Sequence, residues 1–140
     1  QRTNASSAML YTSDHGEDIF DDDRKLFLHA SPVPSYYQLH VPFLIWMSEE
    51  YRKGYPVQYE AVCMNREKPV AGNASVFHSM LSLGGIQTDY KEDSLSVASK
   101  RYVIRPRYYL NDHNLPKLLD KIGLKEKDIK QLEQRRMMYP

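Results

Sequence analysis

Apolar and polar positions divide the chain into short elements. Ala8-Met9-Leu10-Tyr11 is a compact apolar run that reads as a buried strand over 8–13. It ends abruptly in Asp14-His15-Gly16-Glu17-Asp18. Residues 14–40 carry little periodicity, and Pro32 and Pro34 break any helix, so the stretch reads as a long loop with a turn at Asp21-Asp22-Asp23. Val41 to Met47 is apolar on both faces and predicts a second, central and parallel strand. Ser48-Glu49-Glu50 opens a short turn or helix, and 57–66 predicts a modest helix that ends before Pro69. From Asn73 the spacing turns helical, with Val76, Phe77, Met80 and Leu81 on one face, Asn73 or Ser75 as cap and Gly84-Gly85 as stop. Residues 101–105 read as a short strand. Leu115, Leu118, Leu119 and Ile122 follow helix spacing up to Gly123, and an amphipathic helix over 126–137 carries Ile129 and Leu132.

Strands that alternate with helices indicate an α/β layer structure, whose functional groups gather beyond the carboxyl ends of the strands. The length of 140 residues suits one domain with a sizeable core. Charge changes the picture little: 19 Lys and Arg face 18 Asp and Glu, which gives no reason to expect a nucleic-acid partner. The early acidic cluster of Glu17, Asp18, Asp21, Asp22 and Asp23 reads as solvated surface. So do the basic residues of the last helix, Lys125, Lys127, Lys130, Arg135 and Arg136, in preference to a membrane-facing role. Cys63 is the only cysteine and forms no internal disulfide. The apolar run 41–47 is far too short to span a bilayer. The chain starts at Gln1, and it is expected to be a piece of something longer.

Candidate chemistry sits at the end of the first strand. Aspartate oxygen and histidine nitrogen both suit zinc, and aspartate suits harder cations too. Adjacent residues of a strand point to opposite faces, so Asp14 and His15 reach one ion only if the backbone leaves the extended path. Gly16 is expected to supply that freedom through a positive φ. Two ligands fall short of the three or four that a zinc site uses. Of the other histidines, His78 reads as structural within a helix and His113 as part of a polar turn. His29 and His40 bracket the long loop and are the better candidates. His40 also has a plain reading as a hydrogen-bonding residue ahead of a strand.

The ordered set YTSDHGED, LFLHASPVP, YYQLHVPFLIWMS and NASVFHSMLSLGGIQT resembles the C-terminal part of the catalytic domain of lipid A phosphoethanolamine transferases. These belong to the sulfatase-like branch of the alkaline phosphatase superfamily. The likeness covers about residues 8–90; residues 91–140 add a last strand and C-terminal helices. It implies a fragment of an alkaline-phosphatase-like doubly wound, mostly parallel sheet with flanking helices. It implies Asp14 and His15 as ligands of zinc, or of another divalent cation. It places His29 beside the substrate phosphate, where it can also bind a second zinc, and Glu17 and His40 in supporting positions around the site. Ala30 stands where the family has glycine, and the lone Cys63 departs from its frequent disulfides.

The resemblance implies a threonine nucleophile that takes phosphoethanolamine from phosphatidylethanolamine and passes it to lipid A, in a periplasmic domain anchored in the bacterial inner membrane by helices this chain lacks. Both the threonine and the remaining ligands are expected upstream. Thr3, Thr12 and Thr88 match no motif, so the 140 residues alone are expected to be inactive. Exposed strand edges are expected to make such a piece self-associate. Another sulfatase-like hydrolase, acting on sulfate esters or phosphodiesters, and a non-catalytic folded module stay open as alternatives.

Overall fold

A computed structural model describes residues 5–29, 31–70, 72–110, 113 and 115–135. The chain divides into two compact units, one of Gln1–Tyr11 with Phe43–Ile104, the other of Thr12–Pro42 with Arg105–Pro140.

In the first unit, β1 (Ala8–Thr12) is hydrogen-bonded to β4 (Phe43–Met47). Ser48 N–H donates to the Ser7 carbonyl at 2.9 Å, and Ser7 N–H donates to Ser48 Oγ at 3.2 Å. The end of β4 therefore lies beside the start of β1, so this pair runs antiparallel and not in the parallel sense expected for 41–47. Nor are both faces of β4 covered. Ile45 and Met47 turn inward to a core of Met47, Tyr51, Leu83 and Ala98, while Leu44 and Trp46 are exposed, as are Met9 and Tyr11 of β1. Ser48 caps α2 (Glu49–Gly54) by accepting from Tyr51 N–H, and Pro56 starts α3 (Pro56–Asn65) where its missing N–H costs nothing.

Helix α4 (Gly72–Leu83) reverses the expected face. Phe77 and Met80 are exposed, and Ser75, Ser79, Ser82 and Leu83 are buried. The reason is hydrogen bonding. Ser79 Oγ accepts from Val97 N–H at 3.0 Å, and Ser96 Oγ donates to Ser82 Oγ at 2.8 Å, so the serines satisfy a buried loop that apolar side chains would leave unpaired. His78 accepts from Glu92 N–H, a structural contact as expected. Residues 101–105 form no strand. Tyr102 is buried with its hydroxyl on the Pro69 carbonyl, and Val103 N–H goes to Ser94.

In the second unit the long loop is more ordered than its composition suggests. It holds a two-stranded antiparallel hairpin, β2 (Asp18–Ile19) with β3 (Phe27–Leu28), then α1 (Tyr36–Leu39) capped by the Ser35 hydroxyl. Two prolines forbid a long helix but not one turn begun after Pro34. The helix expected over 115–122 is instead β6 (Pro116–Leu118), paired antiparallel with β5 (Tyr108–Leu110), followed by a 3₁₀ turn at Leu119–Lys121. Leu119 and Ile122 still face inward, because their spacing of three suits a 3₁₀ turn as well as a helix. Gly123 follows at φ 78°, a conformation that favours glycine. Helix α5 (Glu126–Gln134) closes the core of Tyr36, Leu119, Ile122 and Leu132; residues 136 and 137 of the expected helix lie outside the described residues.

Candidate metal centre

The chain leaves β1 through Ser13, whose hydroxyl donates to the His15 carbonyl at 2.8 Å. That bond and the one from His15 N–H to Asp14 Oδ1, at 3.0 Å, curl the backbone out of the extended path. Two adjacent side chains that a strand would send apart then converge, with Asp14 Oδ2 3.6 Å from His15 Nε2. The His15 N–H, first, and the Asp14 N–H hold the Asp14 carboxyl below its usual range. His15 Nδ1 lies 3.1 Å from the Gly16 carbonyl, which accepts only from a protonated Nδ1 and so leaves Nε2 as the lone-pair nitrogen. A carboxylate oxygen and an imidazole nitrogen this close, both at least two-fifths exposed, suit a divalent cation as neighbouring ligands.

Gly16 serves this turn by a different route from the one expected. Its φ is not positive. Its N–H donates to the Gln38 carbonyl at 3.0 Å, and a Cβ there would stand 1.9 Å from the Tyr37 carbonyl oxygen. Close backbone approach is what requires glycine. Gly16→Ala is expected to destabilise the chain by about 1–3 kcal/mol through overpacking and to weaken cation binding with it. Thermal unfolding with and without zinc checks this; an unchanged melting temperature would refute the close-packing account.

Beyond the glycine, Glu17 joins two histidines. Its Oε1 is 2.6 Å from His29 Nδ1 and 3.5 Å from His15 Nδ1, and the two imidazoles lie 3.9 Å apart centre to centre. His15, Glu17 and His29 each offer a ligand atom within 4.8 Å of the others. The donors can thus be used in two ways. Asp14 with His15 Nε2 leaves Glu17 to orient both rings, while His15, Glu17 and His29 together make a second possible donor set.

His40 is held by Tyr36. Its Nδ1 is 2.7 Å from the Tyr36 hydroxyl and its ring stacks on Tyr36. Burial first, and the charge of Arg135 second, push the His40 pKa down. A histidine whose folded value lies below its unfolded value adds stability above the unfolded value of about 6.5, and that contribution is lost as pH falls through the folded value. Melting temperatures between about pH 7.5 and 5.5 should fall more steeply for the natural chain than for His40→Gln; equal slopes would contradict this.

Sequence reasoning missed the footing of the hairpin. Asp18 is buried, not solvated. It accepts from Ser35 Oγ at 2.6 Å and from Gln38 Nε2. Asp22 is also no free surface charge, being paired with Arg24 and Lys127. The available signal was Ser35 ahead of Tyr36-Tyr37-Gln38-Leu39, a helix cap with a spare donor. Neither described threonine sits in a reactive setting: the Thr12 hydroxyl donates to the Ser13 carbonyl, and Thr88 accepts from Tyr90 N–H. Thr3 lies outside the described residues.

Comparison with known proteins gives this turn a context. The chain is 33% identical over 89 residues to phosphoethanolamine transferase EptA of Salmonella typhimurium, which takes in 61% of this chain and 16% of that protein. It is 25% identical over 118 residues to phosphoethanolamine transferase EptC of Escherichia coli K12, covering 84% and 20%. The chain therefore spans a sixth to a fifth of the length of these relatives. The crystal structure of the C-terminal periplasmic domain of Escherichia coli EcEptC superposes with a TM-score of 0.67 at 23% identity, over 86% of this chain and 33% of that one. The same domain in complex with Zn gives 0.66 at 22% identity. The α/β fold is thus that of a sulfatase-like domain. The sequence model of the Sulfatase family matches residues 1–86, well over half of the 140, and the chain belongs to that family.

Proposed function

We propose that residues 1–140 are the C-terminal portion of the catalytic domain of a metal-dependent phosphoethanolamine transferase, with 8–90 its core. The enzyme takes phosphoethanolamine from phosphatidylethanolamine and passes it to lipid A. The observation that carries this reading is the convergence of Asp14 Oδ2 and His15 Nε2, with His29 and Glu17 beside them. The names of the relatives support the group transferred, and the periplasmic origin of the structural neighbour supports a periplasmic domain held at the inner membrane.

In this reading Asp14 and His15 hold zinc, and the neighbour's complex with Zn supports that choice over another divalent cation. Bound there, the ion supplies Lewis-acid stabilisation of charge on a phosphoryl group. His29 donates from Nδ1 to Glu17 and, as the imidazolium, from Nε2–H to a phosphate oxygen. Glu17 orients both imidazoles. A threonine supplied by further sequence forms a bond to phosphorus while the bond to the diacylglycerol oxygen breaks, and diacylglycerol leaves as the alcohol. The acceptor oxygen of lipid A then displaces the threonine. These 140 residues alone are expected to bind the cation without turnover. The exposed face of Met9, Tyr11, Leu44 and Trp46 is where isolated copies would associate.

The test uses the complete soluble domain with head-group-labelled phosphatidylethanolamine and, in parallel, an aryl sulfate, each with and without a chelator. Chelator-sensitive release of diacylglycerol is the expected result. Turnover of the sulfate alone would replace the transferase with a sulfate-ester hydrolase on the same site. Activity on neither would favour a non-catalytic module.

A further inference from the structure

The β2–β3 hairpin joins the polar cluster to an uncovered apolar surface. Glu17 immediately precedes it and His29 immediately follows it. Between them Ile19, Phe20, Phe27 and Leu28 are 66, 61, 58 and 50% exposed. Phe20 and Phe27 stack with ring centres 5.1 Å apart at 16°, so they form one patch. The backbone holds two of the four in an unfavourable conformation, φ 64° at both Phe20 and Leu28. Strain that exposes aromatic and aliphatic side chains gives nothing to folding in water, and such features gather at binding sites. The hairpin is nevertheless firmly based: Asp18 is buried on Ser35 and Gln38, and Phe20 N–H donates to the Leu26 carbonyl at 3.0 Å.

A patch of this kind beside phosphate-binding residues fits a ligand with the same two halves, a charged phosphodiester joined to hydrocarbon. We propose that the hairpin is a membrane-contact element that seats Phe20 and Phe27 at the interface of a zwitterionic phospholipid bilayer, so that the lipid head group meets His29. This rests on the transferase reading. The charge at the tip selects the lipid. Asp21, Asp22 and Asp23 there face Arg24, Lys25 and Lys127, a set with no cationic excess, which gives anionic lipid no electrostatic advantage and suits a zwitterionic head group.

The test floats the 140-residue chain with vesicles of phosphatidylethanolamine and phosphatidylcholine, with and without added phosphatidylglycerol. Phe20→Ser/Phe27→Ser should reduce binding at least about tenfold, from the apolar area withdrawn. Leu44→Ser/Trp46→Ser, on the other exposed apolar face, should not. In the complete domain the hairpin variant should raise KM for vesicle-borne phosphatidylethanolamine at least about tenfold more than KM for a short-chain soluble analogue. Equal vesicle binding by the natural chain and the hairpin variant would overturn the proposal. So would binding that appears only with phosphatidylglycerol, or a hairpin variant that loses thermal stability while its vesicle binding is unchanged, which would mark the patch as covered by protein. If the complete domain shows no transfer at all, the transferase reading fails, and flotation still decides the hairpin's role.

Discussion

On the proposed transferase reading, His15→Ala is expected to lower turnover by the complete domain on the order of 10³-fold, because several kcal/mol of phosphoryl-charge stabilisation would leave with the ligand. The reasoning starts in the turn. His15 N–H and the Ser13 hydroxyl curl the chain so that Nε2 comes within 3.6 Å of Asp14 Oδ2, and the Gly16 carbonyl leaves Nε2 free of its proton. Alanine removes the imidazole donor of the pair and keeps the backbone N–H groups that chiefly hold the Asp14 carboxyl low. Glu17→Gln keeps the shape and an acceptor, so its effect should be smaller, about 10–100-fold, as for residues that orient ligands. Zinc titration of the 140-residue chain gives a readout that does not depend on activity, and it separates the two donor sets. Asp14→Ala should abolish tight binding if Asp14 and His15 form the pair. If binding survives Asp14→Ala and is lost in Glu17→Gln, the ion belongs to His15, Glu17 and His29 instead.

Much of the candidate cluster was legible because its residues are adjacent in sequence. Asp14, His15, Gly16 and Glu17 form one string, and apolar runs announce the strands on which they depend. Contacts set by distant residues were not legible. The need for glycine at position 16 comes from the Tyr37 carbonyl, 21 residues away, which no local rule shows. Apolar periodicity misled on α4, where hydroxyls outrank Phe77 and Met80 for the buried face because a loop there needs acceptors. It misled again at 115–122, since a spacing of three and four also fits a strand followed by a 3₁₀ turn. Acidic residues were the hardest to place. Asp18 and Asp22 look like their solvated neighbours, and only their partners Ser35, Gln38 and Arg24 reveal them.

Asp128→Ala should destabilise the chain by about 3 kcal/mol or more, the largest stability effect expected of a single change in the second unit. Nothing in the amphipathic pattern of α5 singles this residue out, yet its side chain is fully buried. Its two oxygens accept from Arg24 Nη1 at 2.7 Å, from Arg24 Nη2 at 3.0 Å and from Tyr36 N–H at 2.8 Å. One carboxylate thus ties the hairpin turn, the first residue of α1 and the last helix together. Alanine leaves the Tyr36 N–H unpaired at a helix start and Arg24 with Asp22 as its remaining carboxylate. The link also makes stability depend on acid. Arg24 first and Lys127 second hold the Asp22 carboxyl well below its ordinary value of 3.8. The stability it adds is therefore complete above that value and drains away as pH falls beneath it. Urea unfolding at pH 7 measures the Asp128 effect, and a loss under about 1 kcal/mol would refute the buried-link account. Replacing both partners, Arg24→Leu with Asp128→Leu, should recover much of what either single change removes, because the cost lies in a buried charge deprived of its partner more than in the pair itself.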